Sequence, residues 1–214
     1  MTFWVKTLFQ GTSPYNGEVK VTESFGERRL IAAGYTQSRS LNKDGLTGSY
    51  WDGFIKNIPE LNLDSRVLML GLGGGTGVKL LTTKFGLVAI DAVEIDPLMV
   101  ELAKKYLDLK EKNVNIVVED ALKFVKEARY KYDLICVDLF SRGGVAVGAE
   151  SKHFFQTLKG LLNEGGVVAI NKLFTTHEDL QNYVSFLKQV FAQTQCLLVH
   201  GALRADNVIV YCSL

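Results

Sequence analysis

Residues 67–77 read VLMLGLGGGTG, an apolar run that breaks into glycines at 71, 73, 74, 75 and 77 before a helix-like stretch. Gly71, Gly73 and Gly75 keep a G-x-G-x-G spacing, which lets a backbone turn tightly and bring a ligand close to the first turn of a helix. The dinucleotide fingerprint calls for a small third residue at position 76, and Thr76 stands there, so a pyrophosphate is not demanded. A tight strand-to-helix turn with no ligand is the plain alternative. The next strand-like run ends AVEID, with Glu94 at its tip, 23 residues after Gly71. An acid at that point can accept hydrogen bonds from both hydroxyls of a ribose. Two charge-assisted bonds at roughly 1.5–3 kcal/mol each would dominate nucleoside affinity. A third run ends VVEDAL, where Asp120 can accept from the exocyclic amine of an adenine while the Ala121 N–H reaches a ring nitrogen. Equally, Asp120 can simply cap the helix that starts at Ala121. Together, the glycine turn and the two acids face one crevice and point to an adenosine-type ligand.

Positioning these groups requires strands that end on the same side of a sheet. From Arg66 onward the chain alternates apolar runs with helix-length segments, and strands are expected at 66–71, 88–94, 114–118, 133–139, 166–172, 195–200 and 207–212. Continuous apolar strands separated by helices argue for a parallel sheet covered on both faces. DPLMVELAKKYLDL is the clearest helix: Asp96 serves as its cap and Pro97 occupies the first helical position, where the missing N–H costs nothing. GALRADN, between the last two strands, is too short for a helical crossover, so those strands should be antiparallel neighbours. The expected fold is α/β: a Rossmann-like, doubly wound, seven-stranded sheet of the class I methyltransferase type, last strand antiparallel, with a small N-terminal β-element. The N-terminal element reads as residues 1–60: FWVKTLF, EVKVTES and RRLIAAG as strands, a hairpin with Gly26 at its tip, and a short helix within 48–57. The main domain reads as 61–214.

Composition narrows the function further. Apolar residues make up 47% of the 214 and charged residues 22%, an ordinary globular balance. With 24 basic and 23 acidic residues, neither nucleic acid nor an anionic membrane is indicated as a partner. The opening residues lack the pattern of a secretory signal and no run is long enough to span a bilayer, so a cytoplasmic location is expected. Cys136, Cys196 and Cys212 each lie in an apolar run and read as buried thiols; with His153, His177 and His200 they match no metal-site spacing, and no metal is expected.

At this point VEIDPLMVELAKKYL, VVEDALKFVKE, YDLICVDLF and SKHFF resemble the polyamine synthase family, the spermidine synthases and their methyltransferase-like relatives. SPYNGEVKV, GERRLIAAGYTQSRS and the segment around Tyr50 extend the resemblance to nearly the whole chain. It implies an adenosyl-sulfonium ligand, S-adenosylmethionine or its decarboxylated form. It places Glu94, with Ile95 beside it, on the ribose, Asp120 and Ala121 on the adenine, and Gln37 at the sulfonium end. A small-molecule acceptor, an amine among the candidates, and a homodimer are implied by the same analogy.

The chain departs from that family at three places. The aspartate of the family's glycine loop, which holds the donor's amine, is matched by Gly74. In DLFS, Asp138 matches the first acid after the fourth strand, and Ser141 stands where the proposed base would be. Leu46 and Thr47 replace two acids ahead of the gate tyrosine, which Tyr50 matches. A carboxylate in the loop would repel the carboxylate of intact S-adenosylmethionine by roughly 1–4 kcal/mol at about 4 Å. Its absence leads us to expect methyl transfer ahead of aminopropyl transfer, with a non-catalytic nucleoside binder as a further alternative. Asp138 and Tyr50 are the expected catalytic positions. Asp138 would contact the acceptor nucleophile or the donor's amine, and Phe140, Tyr50 and Trp51 would line the acceptor side. The glycine-rich SRGGVAVGAE reads as a lid over the site.

Overall fold

The computed structural model describes residues 4–141, 144–199 and 206–214, except the side chains of Ser141 and Asp206. His200, most of the GALRADN loop, and Arg142 and Gly143 of the expected lid lie outside the described residues.

Two main sheets form. The first is an antiparallel meander of β1 (Lys6–Ser13), β2 (Gly17–Ser24), β3 (Glu27–Ala32) and β4 (Tyr35–Arg39). Phe25 and Gly26 both take positive φ in the β2–β3 turn, the left-handed pair that a two-residue hairpin needs. β4 was not anticipated, because YTQSR carries no apolar alternation.

The second sheet has seven strands. A 3₁₀ helix (Tyr50–Ile55) leads into β5 (Arg66–Leu70), α1 (Thr76–Phe85), β6 (Ala89–Glu94), α2 (Pro97–Tyr106), β7 (Val114–Val118), α3 (Ala121–Glu127) and β8 (Tyr132–Val137). A two-residue hairpin of β9 (Phe140–Ser141) and β10 (Gly144–Val145) follows. The chain closes with α4 (Lys152–Gly160), β11 (Leu162–Phe174), α5 (His177–Leu187), β12 (Gln193–Val199) and β13 (Asp206–Ser213). The spatial order is β12-β13-β11-β8-β5-β6-β7. β13 runs antiparallel to both of its neighbours, as expected of the doubly wound class.

Alternation along the central strands splits the core in two. Leu68, Leu70, Ile135 and Val137 face α3, α4 and α5, where Phe155 and Leu158 are fully buried. Val67, Met69, Leu134 and Cys136 face α1, α2 and the 3₁₀ helix, whose Trp51 and Phe54 belong to this second core. Burying a side chain of this size contributes about 1.5–3 kcal/mol, and one-residue slips would turn each strand inside out. The caps are as read: Asp96 accepts from Leu98 N at 3.0 Å ahead of Pro97.

The small sheet is held over α2. Val19, Val21, Leu30 and Ala32 pack against Met99, Leu102 and Leu107. β4 is also tied to the start of α1: Thr76 Oγ1 accepts from Arg39 N and donates to Arg39 O, both at 2.9 Å. Thr76, the residue that breaks the dinucleotide fingerprint, is thus a buried clamp between the sheets. The thiols differ from expectation in one case: Cys136 and Cys212 are buried, but Cys196 is exposed, because β12 is an edge strand open on one side.

Candidate active site

The chain leaves β5 toward β6 and β7, then crosses back to β8 on the other side of β5. Loops leaving β5 and β8 therefore diverge, opening the crevice where doubly wound sheets bind ligands. A cavity of about 470 Å³ lies there. Gln37, Gly71, Gly73, Glu94, Ile95, Asp120, Ala121 and Asp138 all line it.

The glycines act by close approach. Gly71 has φ +89°, and a Cβ there would sit 2.1 Å from the Asp138 carbonyl oxygen. Gly73 has φ +53°, and its Cβ would lie 2.9 Å from the Gln37 carbonyl oxygen. Gly75 does not line the cavity; it precedes α1 with φ +86° and packs on Leu109. Its role is the turn.

Glu94 is 8% exposed. Its two oxygens accept from Gly73 N at 2.8 Å and Asp96 N at 3.0 Å, which fixes the carboxylate at the rim of the glycine turn. Burial pushes its pKa up, and these N–H bonds oppose the rise. Asp120 accepts from Leu122 N at 2.7 Å and so caps α3, and it also lines the cavity.

Asp138 follows β8, and its N–H donates to Leu70 O at 2.8 Å. Its carboxylate accepts from Asn171 Nδ2 at 2.8 Å and from Tyr50 Oη at 3.2 Å. Burial pushes the Asp138 pKa up to about 6, against the pull of hydrogen bonds from Asn171, Tyr50 and Trp51. Burial, then the Asp138 charge, hold the Tyr50 phenol well above its usual range, so it stays a donor. Tyr50 does not reach the main cavity. It lines a second one of about 140 Å³, together with Tyr35, Gln37, Phe140, Asn171 and Asn207. Gln37 and Phe140 border both cavities; Asp138 lines the main one, and its two donors, Tyr50 and Asn171, line the second. Trp51 stacks behind Tyr50 with ring centroids 4.3 Å apart and belongs to the core.

Three contributors were not singled out from sequence. Tyr15 and Asn16, in the β1–β2 turn, line the main cavity. Asp96 holds that turn, accepting from Asn16 Nδ2 at 2.7 Å and from Ser13 Oγ. Asn171 could have been suspected as the one amide inside the apolar run VVAINKLF. From the expected lid, Val145, Ala146 and Val147 lie along the main cavity.

This fold is of the class I methyltransferase type, with its crevice at the switch point of the sheet. The Spermine/spermidine synthase domain model matches residues 53–212, and the chain belongs to that family. A polyamine aminopropyltransferase of Clostridium botulinum (strain Eklund 17B / Type B) is 41% identical over 107 residues, covering 48% of this chain and 38% of the relative. A probable polyamine aminopropyl transferase of Bifidobacterium longum is 28% identical over 173 residues, covering 79% of this chain and again 38% of the relative. The chain thus spans well under half the length of these relatives. The spermidine synthase structure from Thermotoga maritima superposes with a TM-score of 0.75 at 16% identity, over 98% of this chain and 73% of that one, and shares the fold.

These relatives overturn the expectation of methyl transfer: the curated proteins that the chain resembles are aminopropyltransferases. The structure shows where the physical premise failed. A Cβ on Gly74 would meet Leu107 Cδ1 at 2.2 Å and Ser38 Cβ at 2.6 Å, so the position faces packed protein and does not line the cavity. Gly74 N donates instead to Ser38 Oγ at 2.6 Å. A side chain at this position would point away from the cavity, so its missing charge carries no information about the tail of the donor.

Proposed function

We propose that the chain is an aminopropyltransferase domain that takes decarboxylated S-adenosylmethionine as donor and an amine as acceptor. The observation that carries this reading is Asp138, which lines the main cavity and accepts a hydrogen bond from Tyr50 of a second cavity walled by Tyr35, Tyr50 and Phe140. Named relatives of the chain supply the reaction class.

In this reading Glu94 receives the ribose hydroxyls, with Ile95 alongside. Asp120 and the Ala121 N–H receive the adenine edge, and Gly71 and Gly73 allow the donor to lie against the backbone. Gln37, bordering both cavities, faces the sulfonium end. The acceptor nitrogen approaches from the second cavity, where aromatic faces favour a cation before it reacts. Its lone pair attacks the propyl carbon bonded to sulfur, the C–S bond breaks with its electrons going to sulfur, and methylthioadenosine leaves. That lone pair is freed when Asp138 first accepts a proton from the bound ammonium, directly or through a water; the product then leaves as a secondary ammonium, and Tyr50 and Asn171 keep the carboxylate aimed. Sulfonium is a good leaving group, so the residues act mainly by positioning. A homodimer is part of this proposal on family analogy.

The test is release of methylthioadenosine when the protein is supplied with decarboxylated donor and, in turn, a diamine, a triamine and a monoamine. Turnover with at least one amine is expected, together with at least about tenfold tighter calorimetric binding of the decarboxylated donor than of the intact one, equivalent to about 1.4 kcal/mol. No product with any amine, or a preference for the intact donor, would sink the proposal.

A further inference from the structure

We infer that Asn207, on β13, is a positioning residue that locks the side-chain amide of Asn171 in the one orientation that donates to Asp138. The inference rests on the reading of Asp138 as the proton acceptor in the site.

An asparagine amide offers an oxygen that only accepts and a nitrogen that only donates, in nearly the same shape, so a half-turn exchanges them. An ionised carboxylate only accepts. Asn171 must therefore present its nitrogen to Asp138, and it does so at 2.8 Å. That choice sends its oxygen the other way, into a site where Asn171 is only 5% exposed. Without a donor for that oxygen, the reverse orientation becomes available whenever the Asp138 carboxyl is protonated, and beside the ionised carboxylate it sets two oxygens face to face. Asn207 removes that option: its Nδ2 donates to Asn171 Oδ1 at 2.8 Å.

The sheet register explains why Asn207 can do this. β11 and β13 pair antiparallel with Asn171 opposite Ile209 and Leu173 opposite Asn207. Asn207 is therefore the diagonal neighbour of Asn171 on the same face, within reach of a side chain. Both amides line the second cavity, so an acceptor bound there would meet the relay directly.

Other groups around Asp138 do not substitute. Tyr50, from the 3₁₀ helix, takes the second carboxylate oxygen. Cys136, on the strand that Asp138 follows, is a buried thiol held neutral by burial and by that carboxylate. From β4 comes the uncharged Gln37, and Glu94 and Asp120 share the main cavity. The Asn207–Asn171 pair is thus the neutral device that holds Oδ1 against a crevice carrying other acids.

The experiment is a titration of the Asp138 side-chain carbon by NMR in protein labelled at aspartate, assigned with Asp138→Asn, from about pH 4 to about pH 9. Four proteins are compared: wild type, Asn207→Leu, Asn171→Leu and the double variant. Loss of one hydrogen bond to the carboxylate should raise the midpoint by about half to one pH unit in Asn207→Leu. Asn171→Leu should raise it at least as much, and the double variant no further than Asn171→Leu, because Asn207 acts through Asn171. If Asn207→Leu does not fold, Asn207→Asp replaces it; it keeps the volume, cannot donate, and should raise the midpoint further. An unchanged midpoint in the Asn207 variant, or a double variant that exceeds Asn171→Leu, overturns the inference. The titration needs no acceptor, so wild type that turns over no amine would refute the proposed reaction and leave this result readable. Where turnover is seen, the acid limb of kcat/KM should move by the same amount as the NMR midpoint.

Discussion

Tyr50 Oη donates to Asp138 Oδ2 across 3.2 Å, and this contact links a residue lining the second cavity to one lining the main cavity. The two residues are 88 positions apart in sequence. Tyr50 is fixed by the 3₁₀ helix, whose Asp52 accepts from Thr47 N at 2.8 Å and from Gly48 N at 2.9 Å, and whose Gly53 carbonyl accepts from Tyr211 Oη at 2.6 Å. Asp138 is fixed by the end of β8. In the proposed reaction, a carboxylate that lines the main cavity and is held by donors from the second can receive a proton from an amine directly or through a water.

The raised Asp138 midpoint has an opposite sign for activity and for stability. Activity that needs the carboxylate ionised should rise as pH climbs through about 6 and then level off. Stability should do the reverse: the unfolded chain ionises near 3.8 and the folded one near 6, so stability is highest below 3.8, falls between the two, and is flat above. Asp138→Asn should therefore abolish turnover while stabilising the fold by about 1–3 kcal/mol at neutral pH, with the gain vanishing near pH 4. Denaturant unfolding of both proteins at three pH values checks the sign.

Glu94 is the strongest single determinant expected for donor affinity. Glu94→Ala should weaken methylthioadenosine, intact donor and decarboxylated donor alike by about a hundredfold, the loss of roughly two charge-assisted hydrogen bonds partly relieved by water. Isothermal titration with each ligand tests it. A variant that discriminates among the three would place the ribose elsewhere.

How much of this could be read from sequence varied with the kind of signal. The seven strands of the large sheet were legible because continuous apolar runs bounded by caps and glycines admit few other folds. β7 matched at both ends, and Asp96 was a cap before Pro97 as read. β4 was not legible, since its pairing with β3 and its ties to Thr76 and Gly74 come from tertiary contacts. In the site, the strand-end residues Glu94, Asp120 and Asp138 could be named because topology alone brings strand ends together. Asn207 could not, and Asn171 showed only as an odd amide in an apolar run, because their pairing lies in a diagonal register across two strands that meet only after folding. Gly74 misled for the related reason that a loop position shows its residue type in sequence but not the direction of its Cβ.

Asp96 joins the small sheet to the site. It is 1% exposed and accepts from Leu98 N, Asn16 Nδ2 and Ser13 Oγ, so it caps α2 and anchors the β1–β2 turn at once. Asp96→Ala should lower stability by about 2–4 kcal/mol, combining a lost cap with two buried donors left unpaired. Asn16→Ala leaves the cap intact and should cost less stability, while still raising the donor dissociation constant by loosening the wall that Tyr15 and Asn16 form. Thermal unfolding and ligand titration of the two variants separate the cap from the wall.

Gly74→Asp restores the family's acid in the glycine loop, and it should not improve the enzyme. The added Cβ would lie 2.2 Å from Leu107 Cδ1 and 2.6 Å from Ser38 Cβ, closer than packed atoms allow, and Ser38 Oγ already accepts the Gly74 N–H. Because those contacts tie β4 to the turn before α1, the substitution should push β4 and Gln37 away from the cavity. The expected result is a loss of about 1–3 kcal/mol in stability from overpacking, with weaker binding of every adenosyl ligand. Leu107→Ala and Ser38→Gly, added to Gly74→Asp, open the space and should recover part of the ligand affinity, although Leu107→Ala alone destabilises the contact between α2 and the small sheet. A single Gly74→Asp variant that binds the decarboxylated donor more tightly than wild type would mean that the loop turns its side chain toward the ligand, and the packing account of this position would fall.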